Sequence, residues 1–275
     1  MCNTVTINNT QQQTPIVCAI PHSSSFIPNE YVRQFCVSKE ALWEESRALV
    51  DWYTDDLFAP LVAAGAAELR FNVNRFVLDP ERYSEDACEP MAACGMGVIY
   101  THGVYGARLR NPLTPIERER LLTSLYRPYH AALTHLVDAT VSRWGYCLII
   151  DAHSFPAKAL PYEQKRECAR PDICIGTIDP VHTPRPLVQL LRETVEEAGY
   201  SVAENEPFAG AILPEKFRGD GRVWSCMLEV NRALYLTTDG YTKSSGYPDV
   251  KRFITQLAER LSKSVAAQVR MDFVQ

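Results

Sequence analysis

Leu148-Ile149-Ile150-Asp151-Ala152-His153-Ser154-Phe155-Pro156 decides how the rest of the chain is read. Three large apolar residues run without alternation into an acid, a histidine and a serine, the pattern of a strand buried on both faces of a sheet. In open α/β sheets, chemistry gathers at the carboxyl ends of such strands. The order of residues therefore predicts that His153 projects from the sheet edge into a crevice, and that Pro156, lacking a backbone donor, discourages further pairing. A lone histidine in this position would more simply be a hydrogen-bonded core residue. Two other stretches share the design, however: Ile16-Val17-Cys18-Ala19-Ile20-Pro21-His22-Ser23 and Met227-Leu228-Glu229-Val230-Asn231-Arg232. Each carries a metal-competent or acid/base group at or near a strand end.

Outward from these runs, strands alternate with helices. Further strands are expected at 68–71, 172–176 and 200–203. A helix is expected from an N-cap at Ser38 to Gly65, with a bend or break at Pro60. Thr114-Pro115-Ile116-Glu117 joins a capping box to a first-turn proline and starts a helix that should reach Trp144, stop at Gly145 and kink at Pro128. Two more helices are expected at 185–198 and 248–269. This alternation gives an α/β class: a three-layer domain with a mixed, largely parallel central sheet flanked by helices. Residues 15–275 read as one such domain behind a polar, loosely packed terminus at 1–14. Residues 84–112, with Gly95, Gly97, Gly103, Gly106 and His102, read as a long surface loop with room for a hairpin, placed where it could cover a site.

Composition narrows the function classes. The net charge of −5 offers no general attraction to nucleic acid or acidic membranes. No run approaches the length of a membrane span, and residues 1–14 lack the positive-then-apolar order of a signal peptide. The nine cysteines contain no CxxC pair, and several sit inside apolar runs. Free thiols in a reducing cytoplasm explain them better than a disulfide framework or a structural zinc cluster. The expected partner is a small molecule, and the oligomeric state stays open.

Two neutral imidazoles and one carboxylate make a catalytic zinc site that leaves a position for water. His22 and His153 supply the imidazoles and Asp51 the carboxylate for one ion. Asp55 lies four residues from Asp51, on the same face of the expected helix, and is the alternative ligand; a solvated helix face explains both carboxylates without a metal. Glu229 fits the group that takes a proton from water and returns it to a leaving amine; a buried ion pair with Arg232 competes with that role. Asp151 shares a strand face with His153 and could orient it. Arg75 and Arg82 flank Asp79 and form either a clamp for an anionic ligand or a structural salt bridge with it. His130 and His135 lack a shared-face spacing and read as ordinary helix residues.

The pieces Ile20-Pro21-His22-Ser23, Asp51 with Asp55-Asp56-Leu57, Arg75 through Arg82, Ile150 through Pro156, Arg170 through Gly176, Pro207-Phe208-Ala209-Gly210 and Leu228 through Tyr235 occur here in a specific order. Together they resemble the N-formylglutamate amidohydrolase family, over about Ile16 to Tyr235. The resemblance implies a zinc carboxypeptidase-like fold and hydrolysis of N-formyl-L-glutamate to formate and L-glutamate, a step of histidine breakdown. It supports His22 and His153 as zinc ligands and Glu229 as general base. Asn231, in the last of these pieces, joins Arg75 and Arg82 as a substrate-binding residue. One departure stands out: the family's usual Asp-Leu-Asn-Arg here reads Asp79-Pro80-Glu81-Arg82. The added negative charge beside the proposed clamp bears on the substrate more than on the hydrolytic chemistry. A related zinc hydrolase acting on another N-acyl amino acid or a small peptide is the main alternative. A serine hydrolase using Ser154 lacks a GxSxG elbow. A binding protein without turnover is the third reading.

Overall fold

Ile16, Cys18 and Ile20 pack on one side of a central sheet while Val17 and Ala19 pack on the other, so the same five-residue strand feeds two cores. A computed structural model describes residues 3–163 and 169–272, the last helix by its backbone alone from residue 265. Its sheet has seven strands: β1 (Val5–Asn8), β2 (Ile16–Ile20), β3 (Ala67–Phe71), β4 (Cys147–Phe155), β5 (Ile173–Gly176), β6 (Val202–Glu204) and β7 (Val223–Asn231). Their order is β1-β3-β2-β4-β7-β5-β6. The β3-β2-β4-β7 centre is parallel, whereas β1 runs antiparallel to β3 and β5 antiparallel to β7. The fold is therefore α/β with a mixed, largely parallel sheet, as the alternation of elements predicts. Val5–Asn8, placed by its polarity in a loose terminus, is instead an edge strand on β3.

The helices are α1 (Asn29–Val32), α2 (Lys39–Leu49), α3 (Thr54–Leu57), α4 (Ala59–Ala63), α5 (Pro115–Leu121), α6 (Arg127–Trp144), α7 (Arg185–Glu197) and α8 (Tyr247–Asp272). On one face of the sheet, α7 and α8 cover Leu148, Ile150, Cys226 and Leu228 with Leu191, Val195, Phe253, Ile254 and Leu257. Burying each large side chain contributes about 1.5–3 kcal/mol. On the other face, Tyr129, Leu133 and Val137 of α6 lie on Val17, Leu69 and Ile149. The predicted capping box at Thr114 and Glu117 is present. Pro128 follows a π-helical turn, Leu122–Tyr126, which separates α5 from α6 where one kinked helix was expected. Such turns release the regular hydrogen-bond ladder, so a proline costs little there. Gly145, with φ 84°, closes α6 in the left-handed conformation that suits glycine.

The largest departure from expectation lies at 50–53. No continuous helix runs from 38 to 65: α2 stops at Leu49, Val50 is extended, and Tyr53 adopts a positive φ of 62°. Pro60 does not break a helix but sits in the first turn of α4, where its missing N–H is harmless. The 84–112 segment holds short 3-10 turns at Asp86–Cys88 and Pro90–Cys94 and a small antiparallel bridge between His102 and Arg108. Among the described residues, Cys18, Cys147, Cys174 and Cys226 are buried free thiols and Cys36, Cys88 and Cys94 are exposed ones. Cys2 and Cys168 lie outside the described residues. Among the described residues, no helix is long and apolar enough to cross a membrane.

Candidate metal centre

Side chains alternate along β4, so Cys147 and Ile149 face α6 and Asp151 and His153 follow them on the same side. In the parallel register His153 stands opposite Glu229 of β7, which places that glutamate on the same face. Pairing of β2 with β4 stops at Ala19 and Asp151, and two residues past the end of β2 the chain presents His22. The three strands thus open together into a cavity of about 700 Å³, walled by Tyr126 and His130 of the α5–α6 segment and by residues 80–83 and 207–213. β4 itself continues to Phe155, so His153 sits inside a strand that outruns its neighbour and not at the strand's end.

The break after α2 delivers the carboxylate. Asp51 donates its backbone N–H to the carbonyl of His22 at 3.0 Å, which ties the loop to the end of β2. His22 Nδ1 lies 3.3 Å from His153 Nδ1, and Asp51 Oδ2 lies 3.1 Å from His153 Nδ1 and 3.9 Å from His22 Nδ1. Asp55 is not brought here. With no helix joining the two residues there is no shared face, and Asp55 pairs with Arg70 at 2.8 Å.

The other nitrogen of each imidazole already has an acceptor. His22 Nε2 donates to Asp79 Oδ1 at 2.8 Å, and His153 Nε2 donates to Asp151 Oδ1 at 2.9 Å with Glu81 Oε2 3.0 Å away. Both Nδ1 lone pairs then face Asp51 and each other, an arrangement that needs a proton or a cation between them. Zinc bonds of 2.0–2.1 Å in a tetrahedral site separate ligand atoms by about 3.3–3.4 Å. The three observed separations bracket that value, and carboxylates behind both histidines are the usual support of such ligands. The donor set therefore fits a zinc ion.

Charge at the site follows from these contacts. Burial, with Arg75 nearby, lowers His22 to about 4 and keeps the imidazole neutral. Burial opposes charge on His153, yet Glu81 and Asp151 carry its pKa well above normal, so the protein favours positive charge at this point. Burial likewise opposes charge on Asp79, but Arg75 and His22 hold it well below the usual carboxylate range. Arg75 donates to Asp79 Oδ2 through Nε (3.1 Å) and Nη2 (2.8 Å), and Tyr100 donates to the same oxygen at 2.8 Å. The Arg75–Asp79 pair is thus real, and it supports His22. Burial and the charge of Asp151 push Glu81 up to about 8. The Glu81 side chain stands at His153 instead of simply repelling an anion from the arginines.

Glu229 is buried in the cavity wall, and its Oε2 has no hydrogen-bond partner among the described residues. Burial, with Asp51 adding to it, raises its pKa to about 7. The ion pair with Arg232 that would have explained it does not form. Arg232 instead donates to Asp51 Oδ1 at 2.8 Å and to Ser154 Oγ at 3.1 Å, turning the other oxygen of Asp51 towards the histidines. Ser154 makes no hydrogen bond to an imidazole among the described residues, so the serine-nucleophile arrangement is absent there. Arg82 lines the cavity, 3.7 Å from Asp79 and from Glu89. Asn231 does not reach the cavity: it accepts from Ala233 N–H and donates to the carbonyl of Pro171, a turn-capping role. Sequence reasoning missed Asp79 and Glu81 as partners of the histidines. They are distant in sequence from both, and no local spacing signals them.

The family model for N-formylglutamate amidohydrolase matches residues 14–236. The chain is 27% identical over 239 residues to the N-formylglutamate deformylase of Pseudomonas putida, covering 82% of this chain and 83% of that protein. It is 25% identical over 232 residues to the enzyme of that name from Pseudomonas aeruginosa, with the same coverage. The crystal structure of N-formylglutamate amidohydrolase from Ralstonia eutropha superposes with a TM-score of 0.86 at 26% identity, covering 97% of this chain and 100% of that one. A gene product of Agrobacterium tumefaciens shares the fold, with a TM-score of 0.67 at 16% identity over 100% of this chain and 97% of that one. The fold, the match over most of the chain and the converging site agree: this chain belongs to the N-formylglutamate amidohydrolase family.

Proposed function

We propose that this hydrolase cleaves the formyl amide of N-formyl-L-glutamate with one zinc ion held by His22, Asp51 and His153, in a reducing compartment such as the cytoplasm. One observation carries the reading: the Nδ1, Nδ1 and Oδ2 atoms converge on one point while Glu229, buried and with its Oε2 lacking a hydrogen-bond partner among the described residues, faces the same cavity. When bound, zinc supplies a Lewis acid and acidifies water. Glu229, poised near neutrality, removes the proton from the attacking water and returns it to the amine nitrogen as the C–N bond breaks. Asp79 and Asp151 hold the histidines in the tautomer that leaves Nδ1 free, and Arg232 fixes the orientation of Asp51. Burial of His22, Asp51, His153 and Glu229 strengthens each of these contacts.

The test combines metal analysis of the purified protein with an assay for formate and glutamate release. We expect close to one equivalent of zinc, activity lost on chelation, and recovery on adding zinc. Metal-loaded protein that released acetate or another acid and no formate would transfer the reading to a different N-acyl amino acid.

Arg82 is the arginine best placed to meet a carboxylate of the substrate, since it has no hydrogen-bonded acid of its own among the described residues. Arg82→Lys keeps the charge and loses the planar fork. It should lower kcat/KM about tenfold or more, the scale of a hydrogen bond to a charged group. Unchanged steady-state kinetics would make Arg82 a structural residue.

A further inference from the structure

We propose that Tyr162 joins Arg75 and Arg82 in a subsite for one carboxylate of the N-acyl amino acid. The inference rests on the proposed function and adds to it a residue with no motif around it. Tyr162 lies on the loop after β4 and lines the cavity. Its ring packs against the cluster formed by Leu49, Phe76, Tyr100 and Leu160. Its side chain is partly buried and its hydroxyl makes no hydrogen bond among the described residues, so the phenol is available to a ligand in the cavity.

The two arginines on this wall also retain unused donors. Arg75 gives Nε and Nη2 to Asp79, and its Nη1 makes no hydrogen bond among the described residues. Arg82 Nε is buried without an acceptor among the described residues, and the 3.7 Å contacts of Nε to Asp79 and of Nη1 to Glu89 are too long for hydrogen bonds. Arg75, Arg82 and Tyr162 line the same cavity, and the cluster against which Tyr162 packs contains Tyr100, which shares Asp79 with Arg75. Burial keeps the phenol protonated, with its pKa raised to about 12, so at neutral pH it retains an O–H donor. Donors from two guanidinium groups and a phenol, all lacking acceptors, call for a planar anion. On an amino-acid substrate that anion is a carboxylate. A lone amide oxygen would leave most of these donors unmet.

The experiment compares zinc-loaded full-length wild type with Tyr162→Phe on N-formyl-L-glutamate, its α-amide N-formyl-L-isoglutamine and its γ-amide N-formyl-L-glutamine. Tyr162→Phe should raise KM for N-formyl-L-glutamate about tenfold, with kcat within about twofold, as expected for one lost hydrogen bond to a charged group. One of the two amides should already be poor with wild type and should lose nothing more in the variant. Which amide behaves so identifies the carboxylate bound. An equal loss on all three substrates, or a fall in kcat at constant KM, overturns the subsite and puts the phenol at the reacting amide or in the structure of the wall. If Tyr162→Phe is unstable, the wild-type comparison alone decides: two amides as good as the parent compound reject the proposal. If wild type turns over none of the three, the proposed function fails separately. Calorimetric binding of N-formyl-L-glutamate then tests the subsite: weaker binding by Tyr162→Phe supports it, and equal or absent binding by both proteins rejects it.

Discussion

Glu229→Gln should leave the fold and bound zinc intact while lowering kcat on the order of 10²–10⁴-fold, the usual share of general acid–base catalysis. Glutamine keeps the size and much of the hydrogen-bonding capacity of the side chain but cannot take a proton at neutral pH. The same substitution should stabilise the metal-free protein above neutral pH. Burial raises the carboxyl from an ordinary 4.5 to about 7, so the ionised form is disfavoured in the fold. The unfolded chain loses this proton near 4.5, and the folded chain holds it until about 7. Stability therefore falls as pH rises through that window and stays lower above it, by up to about 3 kcal/mol. Melting curves of chelated wild type and Glu229→Gln should converge at pH 4 and separate at pH 8, with the variant higher. A variant that lost its zinc would mark Glu229 as a ligand, and one with near wild-type turnover would move the proton to another group, Asp151 being next in position.

His153→Ala should abolish both stoichiometric zinc and activity, because it removes the nitrogen closest to both other proposed ligand atoms. It also leaves Asp51 and Asp151 beside the vacated ring with less positive charge between them. The variant should therefore be least stable near neutral pH and recover part of its stability as the carboxylates protonate at lower pH. Metal analysis and a pH series of melting temperatures check both statements. A full equivalent of zinc in His153→Ala would sink the ligand set. His22→Ala should lose metal in the same way, but with less effect on stability, since Asp79 keeps Arg75 and Tyr100 as partners.

Much of the fold was legible in local pattern. The unalternated runs at Ile16–Ile20, Cys147–Phe155 and Val223–Asn231 form the parallel centre of the sheet. The capping box at Thr114 begins a helix where predicted, because caps and apolar periodicity act over a few residues and need no distant partner. What local pattern misjudged was continuity: α2 ends where Asp51 must turn back to the His22 carbonyl. A tertiary hydrogen bond there outweighs the helix propensity of the segment.

By itself the sequence determined the types of the central elements, the mixed α/β class, and that His22, His153 and Glu229 stand at or near the ends of buried strands. Only the tertiary structure decided which carboxylate turns to the histidines. Asp51 and Asp55 are indistinguishable by spacing, and the break at 50–53 sends one to His22 and the other to Arg70. It also decided the fates of the polar groups further off: Asp79 and Glu81 at the imidazoles, Arg232 on Asp51 instead of Glu229, and Asn231 on a turn. The physical reason is that a buried polar group is fixed by whichever partner the packing brings within about 3 Å, and such partners carry no periodicity along the chain.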